Sequence, residues 1–403
     1  MNHTNYEIYQ KNNNENYIME KQNIEKETYS QKRFLGEGAF GKVYLIQSNK
    51  TNLEYVCKNI DLSSSSEEKQ KSALSEVSVL KKCKHPNIIL FKEAFITRKP
   101  KRVLHLITEY AENGDLEYIK KNHKQKNEYF EEKIIINWLI QICLALKYIH
   151  ELHVIHRDIK PSNIFLTKKG IIKIGDFGIS KILAKDYKNT KTHIGTAIYM
   201  APEVIESEKY DYKADIWSLG ITFFELTTFN FPFKGNNEFA LLMNIINGKK
   251  YNSINNINGN YYSDELIYII NRMIQKNPKD RPTIGEILDV PIIKKNLEEF
   301  LAKNKDLYDG LNLSVNDKID NNREFKNKSA NELMLTIINE ENEDREYSKF
   351  PSTKLLKQNS KDFIQMTESN NSNLTRLNGS FKENITKKNS TPLKIMSKTN
   401  PFQ

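Results

Sequence analysis

The chain has 403 residues, enough for one large two-lobed domain with tails or for two average domains. Hydrophobic residues make up 38%, below the usual globular share, because Asn, Lys, Ser and Glu crowd the two ends while Ile, Leu, Tyr and Phe crowd the middle. The formal net charge is +10, but the lysines are dispersed and mixed with acids. That pattern describes a solvated lysine-rich surface, not a dedicated nucleic-acid or membrane patch.

Three cysteines, Cys57, Cys83 and Cys143, form no CxxC pair and no metal-ligand spacing. They argue against a disulfide framework or structural zinc and fit a reducing compartment, cytoplasmic or nuclear. Residues 1–28 have no apolar core, so they are not read as a secretory signal; they are expected to form a disordered arm, with a short helix as the alternative. Residues 33–45 read as two strands around a glycine turn, and residues 55–60 as a strand with Val56 and Lys58 on one face. Residues 63–83 read as a helix, capped by serines, with Ala73, Leu74, Val77 and Leu80 at spacings of three and four. Strands are expected over 88–96 and 102–110. From Leu116 helices dominate, with predicted segments 134–150, 212–227, 238–247, 264–275 and 283–289. The most apolar run, 134–149, is broken by Asn137, Gln141 and Lys147 and falls short of the ~20 apolar residues of a bilayer span, so a buried helix is expected. After residue 300 the chain loosens into a polar, basic tail expected to be disordered, with one short helix at 331–343.

The chemistry is carried by a series of motifs. Leu35, Gly36, Glu37, Gly38, Ala39, Phe40, Gly41 and Val43 make a GxGxxG loop, whose glycines let backbone fold closely over phosphates. A dinucleotide-binding turn has the same spacing but leads at once into a helix, whereas KVYLIQS reads as a strand. Lys58 follows on an apolar strand and is suited to the α- and β-phosphates. Glu76, beside the apolar stripe of the next helix, can hold Lys58 by an ion pair; Glu67 and Glu68 are rivals for that role. HRDIKPSN then supplies Asp158 as the carboxylate that orients and deprotonates a hydroxyl. In the same segment Lys160 neutralises the γ-phosphate and Asn163 offers an oxygen to Mg²⁺. Asp176, in Asp-Phe-Gly, is the second oxygen donor that a hard cation prefers. Ala201, Pro202 and Glu203 close the series.

In this order the motifs resemble those of the eukaryotic protein kinase family over about 270 residues. The resemblance implies an α+β, two-lobed protein kinase fold over residues 29–300, with a small antiparallel β-sheet lobe holding one major helix and a larger helical lobe. It implies ATP and Mg²⁺ as cofactors and proteins as substrates. The lysine of HRDIK and the GTAIYMAPE segment are similar to the serine/threonine type, with Thr196 beside the catalytic loop. YVCKNIDLSSSSEEKQKSALSEVSVLKKCKHPNII, AENGDL, KIGDFGISKIL, NPKDRPTIGEIL and PIIKKNLEEFL resemble the NIMA-related kinases, although GTAIYM has Ala-Ile where Pro-Tyr is usual there.

By this resemblance Phe165 is the floor beneath adenine, Glu109 and Ala111 are hinge residues and Thr108 is the gatekeeper. Asp115 contacts ribose, Asp215 braces the catalytic loop and Arg281 pairs with Glu203. A phosphate on Thr192, or on its rival Thr190, would pair with Arg157 and order the intervening loop. Cytoskeletal partners are an expectation of family analogy alone. Two other classes stay open from sequence: a catalytically silent scaffold of the same fold, and an interaction protein acting through tail lysines such as Lys387 and Lys388.

Overall fold

The structure is a computed structural model, which describes residues 5–11, 17–23, 27–38, 41–63, 67–97, 101–176, 197–250, 252–254 and 261–309. Strands β1 (Asn5–Lys11) and β2 (Tyr17–Asn23) pair as an antiparallel hairpin. This lies inside the arm expected to lack structure; Tyr6, Ile8, Tyr17 and Ile18 supply the strand-favouring residues that a composition rich in Asn and Glu obscured.

Five strands follow: β3 (Tyr29–Gly38), β4 (Gly41–Ser48), β5 (Glu54–Asp61), β6 (Phe91–Thr97) and β7 (Val103–Glu109). They make one antiparallel sheet in the order β3-β4-β5-β7-β6. Helix α1 (Glu67–Lys82) connects β5 to β6 and buries Leu74, Val77 and Leu80, as its periodicity predicts. The alternation expected in β5 is present. Cys57 faces a small cluster with Ile46, Phe95 and Ile107, while Val56 and Lys58 line the opposite side, on the cleft.

Beyond β7 the chain is mostly helical, with α2 (Leu116–Lys126) and α3 (Glu132–Glu151) first. Helix α3 is long and apolar enough by composition to cross a membrane, but most of it is buried within the fold. Strands β8 (Ile164–Leu166) and β9 (Ile172–Ile174) form a short hairpin over it. Then come α4 (Pro202–Ile205), α5 (Lys213–Thr228), α6 (Glu238–Ile246), α7 (Asp264–Met273), α8 (Ile284–Leu288), α9 (Pro291–Lys303) and α10 (Lys305–Tyr308). Helix α5 is buried from Ala214 to its end and packs against α3 and α7, so it forms the centre of the core. A reciprocal capping box between Thr283 and Glu286 starts α8. The boundary expected at residue 300 falls within α9, and α10 carries the fold on to a buried Tyr308. The short helix expected at 331–343 lies outside the described residues.

The sheet holds a buried histidine, His105, stacked on Phe95 with ring centroids 4.8 Å apart. Its Nδ1 lies 2.7 Å from Asn59 Oδ1 and its Nε2 lies 2.9 Å from Thr97 Oγ1. One tautomer meets both: Nδ1–H donates to the amide oxygen and Nε2 accepts the hydroxyl. Burial pulls its pKa down to about 4. The folded protein therefore refuses a proton that the unfolded chain takes up below pH ~6.5, so stability falls as pH drops from 6.5 towards 4. Urea unfolding is expected to show a loss on the order of 1–2 kcal/mol from His105 between pH 7 and pH 5. His105→Gln is expected to flatten that slope, and an unchanged slope would show that the imidazole is not held neutral.

Candidate active site

Between the sheet and the helical part lies a cleft of about 1050 Å³. Its roof comes from β3, β4 and β5. Leu35, Gly36, Glu37, Gly41, Val43, Val56 and Lys58 all line it. Gly38 pairs with Gly41 across the turn, while Ala39 and Phe40 lie outside the described residues. Gly41 has φ +143°, and a Cβ there would sit 1.7 Å from the carbonyl oxygen of Asn59. No other residue type fits this turn against β5 without moving backbone.

At the back, Thr108 and Glu109 end β7, and Ala111 and Asp115 continue along the cleft. The Glu109 carboxylate accepts from the Leu90 amide (2.6 Å) and from Lys173 Nζ (2.7 Å), which ties the end of β7 to β9. Asp115 reaches the cleft but also caps α2, accepting the Tyr118 amide at 2.8 Å. Burial raises its pKa, partly offset by that amide. Phe165 on β8 lines the cleft opposite the roof.

The loop after α3 carries the motif that the sequence singles out. It is held by Asp215, which is fully buried at the start of α5. Asp215 Oδ2 accepts the His156 amide (2.9 Å) and lies 2.9 Å from His150 Nε2; Oδ1 accepts the Arg157 amide (2.8 Å). Burial by itself would raise the Asp215 pKa, yet His150, His156 and the backbone donors hold it below the ordinary carboxylate range. These bonds fix Arg157 at φ +69°, a left-handed conformation that a non-glycine residue keeps only when its surroundings impose it.

The next residue, Asp158, is thereby presented to the cleft. Its Oδ2 accepts from Lys160 Nζ (2.9 Å) and Asn163 Nδ2 (2.7 Å), and Asn163 Nδ2 also donates to the Asp158 carbonyl (2.8 Å). With its amide nitrogen spent on Asp158, Asn163 keeps its oxygen for another partner. Across the cleft Lys58 Nζ lies 2.6 Å from Asp176 Oδ1, an ion pair joining β5 to the residues after β9. Asp176 is itself left-handed, at φ +53°. Glu76 lies on α1, and its side chain falls outside the described residues, as do Thr190, Thr192 and Thr196.

Sequence reasoning missed the link between these two carboxylates. His156 Nε2 donates to the Gly175 carbonyl (3.1 Å), which leaves Nδ1 to accept the Asp158 amide (3.3 Å). One imidazole thus spaces Asp158 from the residue preceding Asp176. The motif string named His156, but only the fold shows which carbonyl it meets. The pair expected from resemblance between Arg281 and Glu203 is formed: it is buried and bidentate, at 2.6 and 2.7 Å.

The Asn163 amide oxygen and the Asp176 carboxylate, both lining the cleft, are hard donors suited to a divalent cation. No group of three or more His, Cys, Asp or Glu able by itself to hold a metal ion occurs among the described residues. Such an ion would therefore take its remaining ligands from phosphate and water, as Mg²⁺ does.

The protein kinase domain family matches residues 29–293. Among curated proteins the chain is similar to the serine/threonine-protein kinase Nek1 of Mus musculus, 39% identical over 68% of this chain and 22% of that protein. It is also similar to Nek4 of Mus musculus (35% identical, 69% of this chain and 34% of that protein) and Nek5 of Homo sapiens (37%, 66% and 37%). The chain thus spans well under half the length of these relatives. With the family match covering more than half of the chain, the chain belongs to the protein kinase family.

Proposed function

We propose that this protein is a serine/threonine protein kinase that transfers the ATP γ-phosphoryl group to a Ser or Thr hydroxyl of a protein substrate. The observation that carries the reading is Asp158, bonded to Lys160 and Asn163, in the same cleft as the Lys58–Asp176 pair. The relatives are serine/threonine-protein kinases by name, and protein substrates come with that likeness.

The adenine fits between Val43 and Val56 above and Phe165 below, with backbone groups of Glu109 and Ala111 at its edge. Gly36 and Gly41 leave room for the phosphates beneath the strands, and Lys58 supplies a compact cation to them. Asp176 and the Asn163 oxygen would hold Mg²⁺, which when bound neutralises charge on the β- and γ-phosphates. Asp158 orients the acceptor hydroxyl and takes its proton, while Lys160 faces the charge that develops on the transferred group. Lys160 also supports a Ser or Thr acceptor, since the lysine of HRDIK is the serine/threonine form. All three cysteines are buried free thiols, which supports the cytoplasmic placement proposed from sequence.

The test is γ-phosphate transfer from Mg·ATP to a generic Ser/Thr substrate. Asp158→Asn is expected to lower kcat by about 10²–10⁴-fold with the KM for ATP little changed. No transfer by folded wild-type protein across a broad substrate panel would favour a silent scaffold instead.

Asp215→Asn tests the brace and not the chemistry. It weakens two charge-assisted backbone bonds in the core, and the expected cost is about 1–3 kcal/mol of unfolding free energy in urea titration, with activity reduced alongside. Stability equal to wild type would show that the carboxylate is dispensable.

A regulatory step is also proposed. The Arg157 guanidinium lies over the Tyr210 ring, 5.7 Å from its centroid, beside the start of the catalytic loop. A phosphate on Thr192 would meet it there. Thr192→Ala, purified from cells, is expected to lose most of its activity, and full retention would remove this step.

A further inference from the structure

The family match ends at residue 293, but the fold does not. Helix α9 buries Ile293, Leu297 and Phe300, and α10 then turns the chain so that Tyr308 is only 4% exposed. The Tyr308 ring meets Phe300 edge-on at 5.4 Å between centroids and His85 at 6.2 Å. Its hydroxyl donates to Asn87 Oδ1 at 2.6 Å.

Asn87 is fully buried in the loop between α1 and β6, and every polar atom on it has a partner. Its side-chain amide donates to Gln141 Oε1 on α3 (3.0 Å) and to the Ile172 carbonyl on β9 (2.9 Å). Its backbone nitrogen donates to His85 Nδ1 (3.0 Å), and its carbonyl accepts the Ile174 amide (2.8 Å). The Ile89 amide adds a bond to the Ile174 carbonyl (2.9 Å). The loop around Asn87 is therefore stitched to both ends of β9, and Asp176 stands two residues beyond Ile174. Burial, with Lys173 nearby, lowers the His85 pKa to about 4, so its Nδ1 stays free to accept the Asn87 amide.

We infer that Tyr308 is a positioning residue for Asp176: its hydroxyl holds Asn87, Asn87 holds β9, and β9 sets where the Asp176 carboxylate stands. A segment outside the matched family region is thereby part of the nucleotide site's support. The inference rests on the assignment of Asp176 as a metal ligand. Removing the hydroxyl leaves a buried carbonyl oxygen without its donor, and the strain is relieved where the loop meets β9.

The full 403-residue chain is the material for the test. Tyr308→Phe keeps the ring against Phe300 and His85 and deletes only the donor, so it still folds, with a melting midpoint lowered by a few degrees at most. Calorimetry with ATP in EDTA and with Mg·ATP gives the gain in affinity due to the metal. That gain is expected to fall about tenfold in Tyr308→Phe, with affinity in EDTA unchanged. Amide exchange over residues 172–176 is expected to quicken in the same variant. Tyr308→Ala should show both effects with a lower melting midpoint. If Tyr308→Phe keeps the wild-type metal gain and exchange while Tyr308→Ala only melts earlier, Tyr308 is mere packing and the inference is overturned. A wild-type protein that binds ATP with no metal gain would instead overturn the assignment of Asp176 itself.

Discussion

One buried carboxylate organises the site. Asp215 sits in the core at the start of α5, where an unpaired charge would be strongly unfavourable. It is tolerated because its oxygens are taken up by the His156 and Arg157 amides and by His150. The requirement runs both ways. The core needs those donors, and the donors can reach Asp215 only if the loop adopts the one path that makes Arg157 left-handed. Asp158 follows immediately, so its direction into the cleft is a consequence of satisfying a charge on the far side of its own backbone.

Strand β9 is the second junction. It receives Gln141 from α3, Asn87 and Ile89 from the loop before β6, and the Glu109 side chain through Lys173. Three parts of the chain far apart in sequence thus converge on three residues. The physical reason is economy of polar groups: a short strand buried among helices must find partners for its amides and carbonyls locally. Asn87, Gln141 and Ile172 satisfy one another almost completely. Because Gly175 and Asp176 continue from this strand, the support for the Asp176 carboxylate is shared between the sheet, the helical core and the turn that ends in Tyr308. The Lys58–Asp176 pair then closes the cleft from the other side.

Much of this was legible in the residues. The alternation in β5 places Val56 and Lys58 on the cleft and Cys57 behind them. The three- and four-residue spacing in α1 and the largely apolar run in α3 predict burial that the fold shows. Motif strings name Asp158, Lys160, Asn163 and Asp176, and the fold brings all four to one cleft with Lys58. Strands β8 and β9 were not read from periodicity, since three residues are too few to display a period. Asn87 falls between the predicted helix 63–83 and the predicted strand 88–96, and Tyr308 falls in the stretch that reads as a polar tail. Neither has a neighbour in sequence that explains it; their meaning is a hydrogen bond across 221 positions.

The sequence by itself determined what kind of chemistry the chain can carry and which side chains carry it, because glycine, lysine, carboxylate and amide are each fitted to a phosphate or a hard cation by their own structure. It also determined the local elements, since periodicity is a property of neighbours. Only the tertiary structure decided how those groups are held: that His156 spaces Asp158 from Gly175, that Glu109 is tied to Lys173, and that Tyr308, beyond residue 300, is buried in the fold. These are long-range pairings of buried polar atoms. Each is chosen by whichever donor and acceptor burial brings together, and composition, period and spacing hold no record of that choice.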